Sequence, residues 1–156
     1  MRKNNIFKSL VQKSTLVPLS ALWENVYRLR RSLYEYSFFK KSYFKVPIIS
    51  IGNITFGGTG KTPMIIWLIK KLESYGFEVM VLTRGYKGKL ESKGGMIKGG
   101  QRFLSNPQEY GDEPLLISKK MKRGSVVVGK RRALNLQKYF PSLKPDVVLL
   151  DDGFQH

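Results

Sequence analysis

The stretch ISIGNITFGGTGKTPMIIWLIKKL, residues 49–72, decides how the rest of this chain is arranged. It begins in an apolar run from Val46 to Ile51, passes through a glycine-rich turn, and continues into a helical pattern from Gly60. A strand, a glycine-rich loop and a helix N-terminus in this order are the context of a phosphate-binding loop. Backbone N–H groups of such a loop surround phosphate oxygens, and the helix dipole adds to the attraction. The stretch therefore predicts a nucleotide-binding site.

The loop also predicts which residues hold the nucleotide. Its glycines can adopt backbone conformations closed to other residues and can approach the anion closely. Lys61 is expected to reach the β- and γ-phosphates of ATP, and the Thr62 hydroxyl to bind Mg²⁺. Pro63 is compatible with the first helical turn, where its absent N–H has no partner to lose. The predicted ATP-binding residues are Thr55, Phe56, Gly57, Gly58, Thr59, Gly60, Lys61 and Thr62.

The loop departs from the usual pattern GxxxxGK[ST] at its first glycine, whose place is taken by Thr55. Phe56 stands where some ATPases with a GG-x-GK[ST] loop have a second lysine. A GKT tripeptide that occurs by chance in a glycine-rich loop is the alternative interpretation. The strand before the loop and the helix after it make that alternative the weaker one.

The composition limits the classes of protein to which the chain can belong. Its 156 residues suffice for one domain with a core, and 42% hydrophobic residues exclude a wholly disordered chain. The chain has no cysteine, which excludes disulfides, thiolate metal sites and cysteine nucleophiles. Its net charge of +17 favours anionic partners such as nucleic acid, an anionic membrane surface or phosphorylated substrates. A solvated lysine-rich surface is the alternative for much of that charge.

Residues 1–45 are predicted to form a separate basic, amphipathic helical segment. Apolar side chains recur at helical spacing over residues 19–36, and arginines lie largely beside or opposite that stripe. No signal peptide is visible, and the longest charge-free stretch within residues 1–45, residues 14–23, is far shorter than the ~20 residues that span a membrane. A basic helix that carries Trp and Tyr can lie in a membrane interface. Packing of the same stripe against the domain is the alternative, and the residues alone leave both open.

Residues 46–156 are predicted to form an α/β nucleotide-binding domain. Strand, helix and strand in quick succession predict a right-handed βαβ unit and a parallel sheet. Residues 84–111 interrupt this pattern and are expected to form a hairpin or a long excursion that covers the site. The predicted elements are strands over 46–52, 77–83, 125–128 and from Pro145 onward, and helices over 60–75, from Asp112 and over 131–140.

The last predicted strand, DVVLLDD, ends in Asp151 and Asp152. An acid at the carboxyl end of a buried strand, beside a phosphate-binding loop, can hold Mg²⁺ directly or through water. A solvated strand end is the alternative, and the presence of GGTGKT makes it the weaker one. Ligands of open α/β sheets bind at the carboxyl ends of the strands, so Arg84 and Tyr86 are expected near the same site.

Five blocks of the sequence resemble one known family. GNITFGGTGKTP, TRGYKG, GDEPLLI, VVVGKRR and DDGFQH follow in this order between Val46 and His156. Together they resemble the tetraacyldisaccharide 4′-kinases, the lipid A kinases of Gram-negative envelopes. The resemblance implies a P-loop NTPase-type parallel sheet flanked by helices, with a basic amphipathic N-terminal helix on the cytoplasmic face of the inner membrane. It implies transfer of the ATP γ-phosphate to the 4′-hydroxyl of an acylated glucosamine disaccharide 1-phosphate, which gives lipid IVA.

The same resemblance implies roles for individual residues. Asp112 is expected to be the base that accepts the acceptor proton, with Lys61 and His156 as further catalytic residues. Thr62, Asp151 and Asp152 are expected to hold the metal. For Asp112 the alternative is a helix N-cap, which its place before PLLI favours when the resemblance is set aside. The residues expected to line the active site are Arg84, Tyr86, Glu113, Arg132 and Gln155.

Members of this family are much longer than this chain, so we expect a domain truncated before a C-terminal lobe. The chain is then the N-terminal portion of the kinase, either a fragment of a longer protein or a product whose missing lobe a second polypeptide supplies in trans, and its last strand would lack a covering helix. An ATP-binding module without catalysis is the main alternative function. A basic nucleic-acid-binding protein is the third, disfavoured because the chain has no RNP, zinc-finger or helix-turn-helix signature.

Overall fold

The computed structural model describes residues 18, 20–33, 35–36, 43–53, 60–100 and 106–153. The chain divides into two compact units, Met1–Tyr43 and Phe44–His156.

Helix α1, residues 20–33, forms the described part of the first unit. Two ion pairs at helical spacing stabilise it: Glu24 with Arg28 at 2.6 Å, and Glu35, which is also helical, with Arg31 at 2.9 Å. Five of its large apolar side chains are between 50% and 75% exposed, namely Leu22, Trp23, Val26, Tyr27 and Leu29. Among the helices that the structure describes, none has both the length and the apolar character needed to cross a bilayer.

The second unit alternates strands and helices as the sequence predicts. Its elements are β1 Ile48–Ile51, α2 Lys61–Ser74, β2 Val79–Thr83, α3 Leu90–Lys93, β3 Gly95–Lys98, α4 Pro107–Tyr110, α5 Asp112–Lys120, β4 Ser125–Val128, α6 Arg132–Leu143 and β5 Val147–Asp151. Helix α2 ends where Gly76 adopts a φ of 87°, which lets the Gly76 and Phe77 N–H groups bond back to the Glu73 and Leu72 carbonyls.

The five described strands form one sheet in the order β1-β5-β2-β4-β3. The first four are parallel to their neighbours, and β3 runs antiparallel to β4. The predicted α/β fold with a parallel sheet is therefore confirmed. In its described part, the excursion over residues 84–111 does not fold back on itself as a hairpin, because its strand β3 pairs with β4.

Two apolar clusters cover the two faces of the sheet. Strand side chains alternate between the faces, so Val79 and Val81 point to one cluster, and Met80 and Leu82 to the other. Helices α2 and α5 pack on the first face, and α6 packs on the second through Leu136. Burial of one such side chain contributes about 1.5–3 kcal/mol, so these two clusters hold the strands in register.

The strand that is left exposed is β1, not the last strand. The sequence predicted apolar exposure along the last strand, but β5 lies between β1 and β2 and is mostly buried. Ile48 at the sheet edge is instead 46% exposed, and Ser50 is exposed as well. The expectation was wrong because sequence order does not give the order of strands in a parallel sheet.

Helix α6 differs from its prediction at its C-terminal end. It continues past the expected end at Phe140, through Pro141, to Leu143. Leu134 is exposed, whereas the adjacent Asn135 is buried. The Asn135 amide lies so close to Gly94 and Gly129 that a Cβ added to either glycine would overlap it.

Candidate functional site

The site lies where β1 and β5 end side by side. The two strands are parallel neighbours, and Ile51 is level with Asp151. The end of β1 therefore lies directly beside the two carboxylates at the end of β5. The Nζ atom of Lys61, in the first turn of α2, lies 3.0 Å from Oδ1 of Asp152. The topology thus places the predicted phosphate-binding lysine and a predicted metal-binding acid in contact.

A second contact joins the start of α2 to the start of α5. Thr62 Oγ1 donates a hydrogen bond to Oε1 of Glu113. Acidic residues in the first turn of a helix are favoured by the helix dipole, and Glu113 occupies such a place in α5. Both polar side chains at the start of α2 therefore contact carboxylates.

Asp151 is the most enclosed acid of the site, with 5% of its surface exposed. Its Oδ2 atom accepts a hydrogen bond from Thr83 Oγ1 at 2.9 Å. Burial raises the pKa of the Asp151 carboxyl above its ordinary value, and nearby Glu113 also raises it. The Thr83 hydrogen bond and the positive charges of Lys61 and Arg132 oppose this shift. In the described part of the chain, its Oδ1 atom is buried without a hydrogen-bond partner.

Asp152 has an uncommon backbone conformation, with a φ of 53°. Two hydrogen bonds hold it there: its N–H donates to the Ile51 carbonyl at 2.7 Å, and its carbonyl accepts from Arg132 Nη1 at 3.1 Å. Burial lowers the pKa of Arg132, while the charges of Asp151 and Asp152 raise it. Strained backbone at a cluster of charges is common at ligand-binding sites.

Arg84 and Tyr86 follow β2 at the same end of the sheet. Arg84 Nε lies 2.5 Å from Oε1 of Glu91, at the start of α3. The exposed Tyr86 ring has the Arg84 guanidinium 6.0 Å from its centroid and the Lys87 ammonium at 5.5 Å. Arg84 is also close enough to Arg132 for its charge to lower the pKa of Arg132. This side of the site is therefore positively charged.

Asp112 is the first residue of α5, and the N-cap is Gly111, without a side-chain cap. The alternative interpretation of Asp112 as an N-cap is therefore wrong. Gly111 has a φ of 88°, and a Cβ there would lie 2.9 Å from the Tyr86 carbonyl, so only glycine fits this close approach. The Asp112 side chain is exposed and has no hydrogen bond or ion pair to the described residues. Its carboxylate is left accessible to solvent.

The structure brings together Lys61, Thr62, Glu113, Asp151 and Asp152, with Arg132 bonded to the backbone of Asp152. Asp112 begins α5, and Tyr86 follows β2. Neither side chain forms a hydrogen bond or an ion pair with this group. Residues 55–59, Gln155 and His156 lie outside the described residues. Thr83 and Glu91 were not predicted from the sequence. A hydroxyl residue at the end of a buried apolar strand was a usable signal for Thr83, whereas nothing in the sequence marks Glu91.

The carboxylates fit a magnesium ion that is shared with a nucleotide. Among the described residues, no three acid or histidine side chains converge into a metal cage of their own. In phosphotransferases, however, Mg²⁺ uses one or two carboxylates together with phosphates and waters. The unpartnered Oδ1 of Asp151 supplies one such ligand, and buried polar atoms rarely stay unpaired. The residues present therefore fit Mg²⁺ held jointly with ATP.

Comparison with known proteins gives one consistent family. The family model described as tetraacyldisaccharide-1-P 4′-kinase matches residues 12–156. The tetraacyldisaccharide 4′-kinase of Pelobacter propionicus is 41% identical over 143 residues, covering 92% of this chain and 40% of that protein. The one of Desulfotalea psychrophila is 38% identical over 139 residues, covering 89% of this chain and 40% of that protein. The chain spans about two fifths of these curated relatives.

The fold of this chain is also similar to that of one solved protein structure. A crystal structure of the "apo" form of LpxK from Aquifex aeolicus in complex with ATP superposes with a TM-score of 0.75 and 36% sequence identity. The match covers 92% of this chain and 45% of that one.

Proposed function

This chain belongs to the tetraacyldisaccharide 4′-kinase family, and on that premise we propose that it supplies the ATP-binding and proton-accepting part of a lipid kinase. The reaction transfers the γ-phosphate of ATP to the 4′-hydroxyl of a tetraacyldisaccharide 1-phosphate and gives lipid IVA. The contact of Lys61 with Asp152, beside the contact of Thr62 with Glu113, is the observation that carries this proposal. Phosphoryl transfer needs positioned cations and carboxylates of this kind more than it needs covalent chemistry.

Residues 55–62 surround the phosphates of ATP, with Lys61 on the β- and γ-phosphates. When ATP binds, the ammonium group of Lys61 exchanges its contact with the Asp152 carboxylate for contacts with phosphate oxygens. Thr62, Asp151 and Asp152 hold Mg²⁺, which neutralises charge on the phosphates when it is bound. Arg84 and Arg132 contribute further positive charge at the same end of the sheet, and Tyr86, Glu113, Gln155 and His156 line the site.

Asp112 accepts the proton of the acceptor hydroxyl. As the 4′-oxygen bonds to the γ-phosphorus, the bond from that phosphorus to the bridging oxygen breaks, and ADP leaves with its electron pair. The hydroxyl proton passes to the Asp112 carboxylate, which is exposed and free of other partners in the described part of the chain. A carboxylate that holds no structural hydrogen bond is available for this work.

The acceptor is a lipid, so we place the enzyme on the cytoplasmic face of the inner membrane. The exposed apolar side chains of α1 and its arginines support contact with an anionic lipid surface. Because the chain spans about two fifths of its curated relatives, transfer is expected from an assembly that also contains their remaining segments, joined to this chain or supplied in trans.

Binding and transfer measured side by side test this proposal. We expect the chain to bind ATP in the presence of Mg²⁺ in calorimetry, and to transfer ³²P from γ-labelled ATP to the disaccharide when the remaining segments are present. ATP binding that never leads to transfer, even with those segments, would favour an ATP-binding module without catalysis. A chain without affinity for ATP would contradict both functions.

A further inference from the structure

Two buried side chains, Thr83 and the site carboxylate Asp151, lie at the ends of β2 and β5. The strands are parallel neighbours with Leu82 paired to Leu150, which leaves Thr83 and Asp151 level with each other. Thr83 is 3% exposed, and its hydroxyl donates to Oδ2 of Asp151 at 2.9 Å. This hydrogen bond joins two strands through their side chains inside the sheet.

We propose that Thr83 is a positioning residue for the divalent cation, because its hydroxyl holds one oxygen of Asp151 and thereby presents the other oxygen to the ion. The inference rests on the proposed function, since it takes MgATP as the ligand of the site. Thr83 touches neither the nucleotide nor the reacting atoms, and it acts only through Asp151.

The two oxygens of Asp151 have different surroundings. Oδ2 is fixed by Thr83, whereas Oδ1 is buried and has no hydrogen-bond partner in the described part of the chain. A carboxylate that rotates freely would lose this difference between its oxygens. Partners of metal ligands of this kind typically change metal affinity by 10–100-fold when they are removed.

Two substitutions of Thr83 distinguish the contribution of its hydroxyl from the contribution of its packing. Thr83→Val keeps the shape of the side chain and removes the donor, whereas Thr83→Ser keeps the donor and removes a methyl group. Thr83→Ala is a second variant without the hydroxyl, in case valine impairs folding. Ser118→Ala is the matched control, because it removes another buried hydroxyl bond, from Ser118 Oγ to the Leu115 carbonyl at 3.0 Å, within α5.

Two measurements on the 156-residue chain decide the matter: Mn²⁺ binding by electron paramagnetic resonance, and ATP affinity by calorimetry with and without Mg²⁺. We expect Thr83→Val and Thr83→Ala to bind Mn²⁺ on the order of tenfold more weakly. They should lose a similar factor of the Mg²⁺-dependent gain in ATP affinity, and ATP affinity without metal should not change. Thr83→Ser and Ser118→Ala should behave like the wild type.

Three outcomes overturn the inference. Thr83→Val or Thr83→Ala could bind Mn²⁺ as well as the wild type does, Thr83→Ser could weaken binding as much as they do, or metal-free ATP affinity could fall by the same factor. If the wild type shows Mg²⁺-dependent ATP binding in those cases, only the role of Thr83 fails. A wild-type chain that binds neither Mn²⁺ nor ATP contradicts the proposed function as well.

Discussion

Lys61 and Asp152 lie 91 positions apart in the chain, and their charged groups are 3.0 Å apart. The pair exists because β5 inserts beside β1, so the ends of the first and last strands are neighbours. If Lys61 binds the phosphates of ATP, as we propose, the nucleotide has to compete with the Asp152 carboxylate for this single ammonium group.

Replacement of Lys61 should abolish most ATP binding. We expect Lys61→Ala to lower ATP affinity by about 10- to 100-fold, the effect of one to two charge-assisted hydrogen bonds to phosphate. Calorimetric titration with MgATP measures this change. Lys71→Ala, an exposed lysine near the end of the same helix, is the control and should bind ATP normally. Unchanged affinity in Lys61→Ala would mean that the phosphate-binding loop is wrongly assigned.

Asp112 should act in transfer and not in ATP binding. In an assembly that transfers phosphate, Asp112→Asn should reduce the rate by about 10²- to 10⁴-fold, as is typical of a lost general base. Its affinity for MgATP should stay at the wild-type value. Glu109→Gln, three residues earlier and also exposed, should affect neither quantity. A transfer rate that survives in Asp112→Asn would exclude Asp112 as the base.

Glu73 should be needed for stability rather than for function. Its carboxylate accepts backbone N–H groups of Lys122 and Arg123 at 2.8–3.1 Å, and so ties the end of α2 to the turn before β4. Because Glu73→Ala leaves those N–H groups without this partner, we expect the free energy of unfolding to fall by about 1–3 kcal/mol. Urea titration measures it, with Lys70→Ala on the exposed side of α2 as control. Equal stability of the two variants would contradict the role of Glu73.

Asp151 should lower the stability of the free chain at neutral pH. Burial raises the pKa of this carboxyl in the folded chain above the ordinary 3.8, so the folded state holds the proton more tightly than the unfolded state does. Stability therefore falls as pH rises from 3.8 through the raised pKa, and the loss persists at neutral pH. Asp151→Asn cannot ionise and escapes this loss.

Thermal unfolding in EDTA tests that sign. We expect Asp151→Asn to melt at a higher temperature than the wild type at pH 7, with a difference that shrinks as the pH approaches 3.8. A variant that is less stable than the wild type at pH 7 would contradict the expectation.

Helix α1 should bind anionic lipid through its exposed apolar side chains. In a Trp67→Phe background, Trp23 is the only tryptophan, and its fluorescence should shift to the blue with phosphatidylglycerol vesicles. Neutral phosphatidylcholine vesicles should give a weaker shift, because each basic residue near an anionic surface contributes about 1 kcal/mol. Val26→Ser should weaken binding to both kinds of vesicle. An emission spectrum that vesicles leave unchanged would exclude the membrane role of α1.

Local patterns predicted the elements of the second unit well, because they depend on neighbours in sequence. The helix that begins at Lys61 and stops before Gly76, and the apolar strand that ends at Asp151, were both recognisable from spacing and composition. The same patterns could not give the order of the strands. Exposure was therefore assigned to β5 when it belongs to β1.

Contacts that depend on that order were also beyond prediction. The hydrogen bond between Thr83 and Asp151 requires β2 and β5 to be adjacent and in register, which no spacing in the chain specifies. The N-cap interpretation of Asp112 failed because Gly111 is the N-cap instead, and a glycine is required there by the close approach to the Tyr86 carbonyl.

The exposed position of β1 has a consequence for the handling of this chain. An edge strand such as β1 has unpaired N–H and C=O groups on its outer side, and these can pair with another strand. Ile48 and Ile49 would add apolar contacts to such pairing. We therefore expect the chain to self-associate at high concentration unless another polypeptide segment pairs with β1. Since β1 ends level with Asp151, whatever pairs with β1 also lies close to the proposed nucleotide site.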